Sequence, residues 1–151
     1  MTMNKKIVIV LGLSILISGC LSANKEKNYN FIKGLNEYQK NDKVSALENY
    51  KKAFARRIYG HFIDKLAPAV NRKINRVAVR KMTTRWGSCN SRKGYINLSL
   101  NLIEKAPELV EYVVLHELAH LIYPHHQKSF YDFIAKLMPD FKTREQRLNK
   151  K

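Results

Sequence analysis

The chain of 151 residues is long enough for one domain of ordinary size, and its hydrophobic fraction of 45% is enough to build a core. These values exclude a wholly disordered protein. The net charge is +16, from 28 Lys and Arg against 12 Asp and Glu, so the surface attracts polyanions such as nucleic acid, anionic lipid or acidic envelope polymers. A basic surface without a partner explains the charge equally well. With only Cys20 and Cys89, a disulfide framework is excluded.

The N-terminus is typical of a bacterial lipoprotein. Two lysines precede an apolar run over residues 7–17, which is too short to cross a bilayer but suits the apolar region of a secretory signal. The run ends in Ile-Ser-Gly-Cys, which resembles a lipobox, where the cysteine is acylated (as with palmitate) and becomes the first mature residue. We therefore predict a signal peptide over residues 1–19 and lipidation of Cys20. An uncleaved anchor and a buried helix are the alternatives. Removing the signal would take away only those two lysines, so the basic excess belongs to the rest of the chain.

Residues 28–57 resemble a single tetratricopeptide repeat, which is a hairpin of two helices. Small and aromatic residues recur at the spacing of that repeat, namely Gly34, Tyr38, Ala46, Tyr50 and Ala53. The pair at 41–42, Asn-Asp, predicts the turn between the helices. A single copy cannot build a solenoid, because such repeats bury their faces against neighbouring copies. We therefore predict a helical hairpin that packs on the following domain and could bind a protein partner.

Two predicted strands follow a helical segment that reaches Pro68. The segment 74–82, INRVAVRKM, and the segment 94–103, GYINLSLNLI, both alternate apolar with polar residues. In the second segment Ile96, Leu98, Leu100 and Leu102 share one face, and Asn97, Ser99 and Asn101 share the other. The intervening residues 85–94, RWGSCNSRKG, have the composition of a turn. We predict a short antiparallel sheet, with one strand at Tyr95–Leu100.

The segment 107–123, PELVEYVVLHELAHLIY, predicts a buried helix that Pro124 ends. His116 and His120 are four residues apart and project from one helical face, and Glu117 lies about 100° around the axis from His116. Two imidazoles at this spacing can share a zinc ion. The glutamate could then take a proton from metal-bound water as hydroxide attacks a peptide carbonyl.

The third metal ligand has two adjacent candidates, His125 and His126. A hydrolytic zinc site needs three protein ligands and an open position for water. The interval that ends at His126 matches that of metzincins, but Tyr123 stands where metzincins have a glycine that turns the chain, and Pro124 could supply the turn instead. The spacing alone leaves both histidines open.

Several of these motifs together resemble the YgjP-like metallopeptidase family, relatives of the SprT-like proteases, over about residues 55–148. The shared motifs are Arg85 to Cys89, Ile96 to Leu98, His116 to His120, and His126 with Phe130. The resemblance implies a zinc peptidase with His126 as the third ligand and a protein or peptide as substrate. His125 stands where the family usually has asparagine.

We therefore predict an α+β fold with a small zincin-like domain. Its parts are a short antiparallel sheet, the HExxH helix and a C-terminal helix, and a helical hairpin precedes them. The predicted divisions are a signal peptide at 1–19, the mature N-terminus with the hairpin at 20–57, and the metallopeptidase domain at 58–151.

The predicted function is a membrane-anchored metallopeptidase of the cell envelope, on the extracytoplasmic side, with one zinc ion per chain and Glu117 as general base. Tyr95, Asn97 and Ser99 on the second strand would contact substrate. One alternative is a non-catalytic zinc-containing module whose hairpin recruits a protein partner. Another is an SprT-like protease acting on nucleic-acid-bound proteins, but the lipobox argues against this, because an exported protein would not meet the chromosome.

Overall fold

The computed structural model describes residues 43–150. Its elements are α1 Lys43–Val70, β1 Arg76–Arg80, β2 Gly87–Asn90, β3 Tyr95–Ser99, a 3-10 helix Leu100–Glu104, α2 Pro107–Ala119, α3 Lys128–Leu137 and α4 Phe141–Asn149. Four helices with a small sheet confirm the predicted α+β class. Cys20 and the first helix of the predicted hairpin lie outside the described residues. In the part from 43 to 150, no helix has both the length and the apolar character needed to span a bilayer.

Helix α1 is continuous over 28 residues, or about 42 Å at 1.5 Å per residue. The predicted border between residues 57 and 58 falls inside it. Ala46 is buried near its start, and from residue 55 onward the buried side chains recur every three or four residues and form one face: Ala55, Tyr59, Ile63, Leu66 and Val70. The helix passes through Pro68 and ends two residues later. Asn71 follows with a φ of 49°, a left-handed conformation that asparagine tolerates, and its N–H donates to the carbonyl of Ala67 at 3.2 Å.

The sheet has three strands in the order β1-β3-β2 and is mixed, which corrects the prediction of a purely antiparallel sheet. Strands β2 and β3 form an antiparallel hairpin, but β1 pairs with β3 in parallel, from Arg76 opposite Tyr95 to Arg80 opposite Ser99. Strand β3 therefore lies between the other two strands, and β2 runs opposite to both of them.

Strand β2 lies within the segment that was predicted to be a turn. Its sequence, Gly-Ser-Cys-Asn, has neither β-branched residues nor an apolar alternation, so it carries no strand signal. The turn itself covers only residues 91–94. Gly94 has a φ of 63°, and a Cβ at this position would lie 2.7 Å from the carbonyl oxygen of Lys73, so the turn requires glycine.

Strand β3 ends at Ser99, one residue before the predicted end, and the chain continues as the 3-10 helix. Leu100 and Leu102 stay buried there. The hydroxyl of Tyr59 on α1 donates to the carbonyl oxygen of Ser99 at 2.7 Å. This buried hydrogen bond joins α1 to the point where the strand becomes a helix.

Helix α2 lies in the middle of the molecule and contacts α1, α4 and the sheet. Most of its side chains are buried: Leu109, Val110, Tyr112, Val113, Val114, Leu115, Glu117, Leu118 and Ala119. It ends at Ala119, four residues before the predicted end, because the N–H groups of Leu121 and Ile122 bond to carbonyls three residues back and tighten the last turn. His120 keeps helical dihedral angles at the C-cap, so its relation to His116 is preserved.

Candidate metal centre and active site

Three histidine side chains converge beside the end of α2. His116 belongs to its last turn, His120 is its C-cap residue, and His126 lies in the loop before α3. One ring nitrogen from each lies within 4.8 Å of the others, and Nε2 of His126 is 3.0 Å from Nε2 of His116. Among the side chains from 43 to 150, these are the one set of three or more possible ligands gathered this closely.

The loop after α2 selects His126 rather than His125 for this cluster. Both residues are exposed, but only His126 lies with His116 and His120 in the set. His120 holds the loop through its Nδ1 atom, 3.1 Å from the carbonyl oxygen of Tyr123. If Nδ1 donates in this contact, Nε2 stays free for a metal. The ring of Phe130 on α3 is fully buried and packs against all three histidine rings, with centroids 4.7–4.9 Å apart.

His116 and His120 have the charge state that metal binding requires. Burial, with smaller contributions from His120 and His126, lowers the pKa of His116 to about 3. Burial also lowers the pKa of His120. Both imidazoles are therefore neutral at neutral pH, and the neutral ring is the form that binds a metal ion.

Glu117 lies beside the histidines and is 6% exposed. Its Oε2 atom is buried and has no hydrogen-bond partner among residues 43–150. Burial raises the pKa of this carboxyl to about 8, and the positive charge of Arg85 opposes the shift. An unpartnered buried carboxyl oxygen next to three imidazole rings fits a zinc site with three protein ligands and an open position for water.

Gly87 on β2 makes room for the glutamate. A Cβ at this position would lie 2.5 Å from Oε1 and 2.6 Å from Cγ of Glu117, closer than real Cβ contacts. The contact joins β2 to α2 directly beneath the carboxylate. The sequence carries no signal for this close approach of Gly87 to Glu117, because the approach depends on how β2 packs against α2.

A cavity of about 640 Å³ opens over the histidines and Glu117, within the usual size of small-molecule and peptide sites. Its other walls come from β2, the turn after it and the loop after α2: Arg85, Gly87, Ser88, Cys89, Asn90, Ser91, Arg92 and Pro124. Burial, and then the nearby Glu117, raise the pKa of the Cys89 thiol to about 12, so this cysteine is protonated and unreactive at neutral pH.

The predicted substrate contacts on β3, Tyr95, Asn97 and Ser99, do not border this cavity. Strand β3 is central, so both of its edges are already paired. Ser99 is buried, with its hydroxyl 3.3 Å from the carbonyl oxygen of Met82. The side chain of Asn97 accepts from Arg80 and donates to Ser88, and Tyr95 packs under the Arg76 guanidinium. The strand that borders the cavity is β2.

Comparison with known proteins agrees with this site. The sequence model of the YgjP-like, metallopeptidase domain matches residues 9–151. The chain belongs to the YgjP-like family. It is a zinc metallopeptidase, which confirms the predicted enzyme class. The match extends well beyond the residues 55–148 of the predicted resemblance. Curated proteins include none that matches the chain.

Two solved structures are similar to this YgjP-like chain. The metallopeptidase zymogen of Pyrococcus abyssi abylysin has 22% sequence identity and a TM-score of 0.54, and the match covers 60% of this chain and 90% of that one. The metallopeptidase zymogen of Methanocaldococcus jannaschii jannalysin has 20% identity and a TM-score of 0.48, over 62% and 91%. At these identities the abylysin match concerns the fold, and it agrees with the zincin-like architecture.

A second, smaller cavity of about 250 Å³ adjoins the site of this YgjP-like peptidase. It shares Arg85, Gly87, His116 and Glu117 with the first cavity and is completed by Trp86, Tyr112, Val113, Glu145, Leu148 and Asn149. The Tyr112 hydroxyl donates to a carboxyl oxygen of Glu145 at 3.0 Å, and the Lys105 ammonium lies 5.2 Å from the centre of the Trp86 ring. The lining of this cavity therefore combines apolar and polar side chains.

Proposed function

We propose that His116, His120 and His126 bind one zinc ion per chain and that Glu117 is the general base of peptide-bond hydrolysis. The unpartnered Oε2 atom of Glu117, buried beside the three imidazoles, carries this proposal. When bound, zinc supplies Lewis-acid chemistry that polarises a carbonyl and acidifies water. A structural zinc site would use four protein ligands, and the described residues bring only three together.

Glu117 is suited to moving protons in this reaction. Its raised pKa, about 8, makes the carboxylate a stronger base than an ordinary glutamate. It can accept a proton from the attacking water and transfer it to the amine of the leaving peptide. The wall formed by Gly87 and the burial of Oε2 limit the orientations in which the carboxylate can do so.

The substrate binds along β2 in this proposal. Strand β2 pairs with β3 on one side only, so its other edge is free within the described sheet, and it borders the cavity. An extended peptide can add to such an edge through main-chain hydrogen bonds, which would bring a peptide bond over Glu117.

Glu117→Gln tests the role of the base. Glutamine keeps the size of the side chain but cannot accept a proton, so we expect hydrolysis to fall by about 10²-fold or more while zinc stays bound. New peptide termini from a mixture of unfolded proteins, counted by mass spectrometry, and elemental analysis measure the two effects. Equal cleavage by variant and wild type would contradict the role of Glu117.

The ligand set is tested with His126→Ala and its matched control His125→Ala. The first variant should lose zinc and the second should retain it, because only His126 lies within reach of His116 and His120. Elemental analysis of both purified proteins decides between them. Loss of zinc from His125→Ala with retention by His126→Ala would reverse the assignment.

We also propose that the peptidase is anchored by lipid at Cys20 on the extracytoplasmic side of the bacterial envelope. The apolar run and the lipobox-like residues 17–20 support this proposal. Labelling of cells with a fatty-acid analogue should mark the wild type, whereas Cys20→Ser should stay unlabelled and accumulate as precursor. An unlabelled wild type would exclude the anchor.

A further inference from the structure

The segment that forms the sheet is strongly and uniformly basic. Residues 65–103 contain nine Lys and Arg but no Asp or Glu, and all three strands lie within this segment. A chain of average composition would have several acidic residues over this length. The sheet and its connections therefore contribute positive but no negative side-chain charges, and β2 and its flanking residues border the active-site cavity.

Two arginines of this segment are available to a ligand in the cavity. Several of the other cations are already engaged: Lys65 with Glu111, Lys81 with Glu48, Arg76 with Tyr95 and Arg80 with Asn97. In contrast, the exposed residues Arg85 and Arg92 have no ion pair or hydrogen bond within residues 43–150, and the charge of Arg85 acts on Glu117 from a distance. Both residues line the cavity.

The positions of Arg85 and Arg92 follow from the strand between them. Arg85 precedes Gly87 by two residues and Arg92 follows Asn90 by two residues, so the arginines bracket β2. A strand of this length rises about 10 Å, at about 3.3 Å per residue. A peptide that pairs with β2 would thus have one arginine near each end of the paired stretch, on either side of Glu117. That glutamate is the one carboxylate among the described residues that line this cavity.

We propose that Arg85 and Arg92 recognise carboxylate groups of the substrate, so that the peptidase prefers acidic peptide segments. The inference rests on the proposed binding of peptides along β2. A guanidinium group binds a carboxylate through two parallel N–H···O bonds, which gives orientation as well as attraction. The carboxylate could belong to an Asp or Glu side chain or to a free C-terminus, because both offer the same pair of oxygen atoms.

The test measures binding and cleavage separately. Short fluorescent peptides carry either Glu or the isosteric Gln on both sides of a central bond, and each is made with a free and with an amidated C-terminus. Their dissociation constants are measured by anisotropy on the zinc-loaded full chain with Glu117→Gln, in which turnover is blocked. Cleavage of the same peptides is measured with the zinc-loaded wild type.

We expect the Glu peptides to bind about twofold to fivefold more tightly for each arginine engaged, the range of an exposed ion pair. The preference should decrease as salt is added. Arg92→Gln should reduce the preference, measured as the dissociation constant of the Gln peptide divided by that of the Glu peptide.

Arg72→Gln is the matched control, because Arg72 is an exposed cation of the same segment that does not line the cavity. This variant should preserve the ratio. A difference between free and amidated peptides would assign the recognised carboxylate to the C-terminus.

Equal binding of Glu and Gln peptides would overturn the inference. An equal loss of preference in Arg72→Gln and Arg92→Gln would also overturn it, because the attraction would then come from net charge. If the acidic preference and its loss in Arg92→Gln are seen but no peptide is cleaved, the recognition stands and the proposed peptidase reaction fails instead.

Discussion

Gly87 lies so close to Glu117 that even one additional carbon atom would displace the carboxylate. Gly87→Ala would place its Cβ 2.5 Å from Oε1, so either β2 or the Glu117 side chain must shift. We expect at least about a tenfold loss of peptidase activity, because a misplacement of about 1 Å is enough to disrupt catalysis. The zinc content should not change, because no histidine contacts Gly87 in this way.

Gly60→Ala is the matched control for that substitution. Gly60 lies within α1, and a Cβ there meets no atom within 4 Å. This variant should keep full activity and gain about 0.5–1 kcal/mol of stability, because glycine is unfavourable inside helices. Steady-state kinetics with elemental analysis test Gly87→Ala. Full activity with bound zinc in that variant would show that Glu117 tolerates displacement.

The active-site residues differ in how far the sequence could predict them. The positions of His116, Glu117 and His120 follow from helical periodicity alone. The choice between His125 and His126 does not, because adjacent residues in a loop point in directions set by its backbone. The contact between Gly87 and Glu117 links residues 30 positions apart, so only the packing of β2 against α2 reveals it.

At the scale of elements, Tyr59 joins α1 to the 3-10 helix. Its buried hydroxyl donates to the carbonyl oxygen of Ser99 and has a backbone hydrogen bond with Ile103. Tyr59→Phe would leave both backbone groups without this partner, at a cost of about 1–3 kcal/mol in the free energy of unfolding.

Urea unfolding measures this loss of stability, with Tyr95→Phe as control. The exposed hydroxyl of Tyr95 has no hydrogen bond within the described residues, so the control should change stability by less than about 0.5 kcal/mol. Equal unfolding midpoints for both variants would contradict the role of Tyr59.

The elements that the sequence predicted well are those with a strong apolar pattern. The alternation around Ile96 and Leu98 predicted β3, and the apolar run before His116 predicted α2. Strand β2 has no such pattern, since its strand conformation depends on its pairing with β3. The parallel pairing of β1 was not predictable either, because alternation identifies a strand but says nothing about the direction of its neighbour.

At the scale of the whole molecule, ion pairs connect α2 to α1 and α4. Burial raises the pKa of Glu111, but hydrogen bonds from Lys65 and Arg144 together outweigh this effect and lower it. The pKa of Asp140 is also lowered, chiefly by its hydrogen bond from Arg144. Carboxyl groups with lowered pKa values stabilise the fold above their unfolded-state values and lose that contribution as the pH falls through the folded-state values.

We therefore expect these carboxyl groups to contribute a decrease in the melting temperature as the pH falls below about 4.5, the ordinary value for glutamate, in addition to the effect of the buried His116, which begins below its ordinary value of 6.5. Glu111→Gln lacks one of these titrating groups, so its melting temperature should depend less on pH in the acid range. Calorimetry of both proteins from neutral pH to about pH 3 measures the two slopes. Parallel curves would mean that the Glu111 ion pairs do not contribute to acid sensitivity.

The overall fold class followed from the order of helical and strand-like segments, but the division at residue 58 has no counterpart in α1. The sequence pattern changes at this border, yet the helix continues to Val70. It continues because its buried face keeps the same period on both sides of the border, from Ala55 to Tyr59 and Ile63. A change in sequence pattern is therefore not enough to end a helix that packs against one continuous core.

The second cavity is a site where a selective inhibitor could bind. The smaller cavity reaches Glu117 and is also lined by Trp86, Val113 and Leu148, so a compound of about 250 Å³ could occupy it without a chelating group. Its selectivity would then come from the shape of a pocket lined by α2, α4 and residues 85–87 rather than from affinity for a metal.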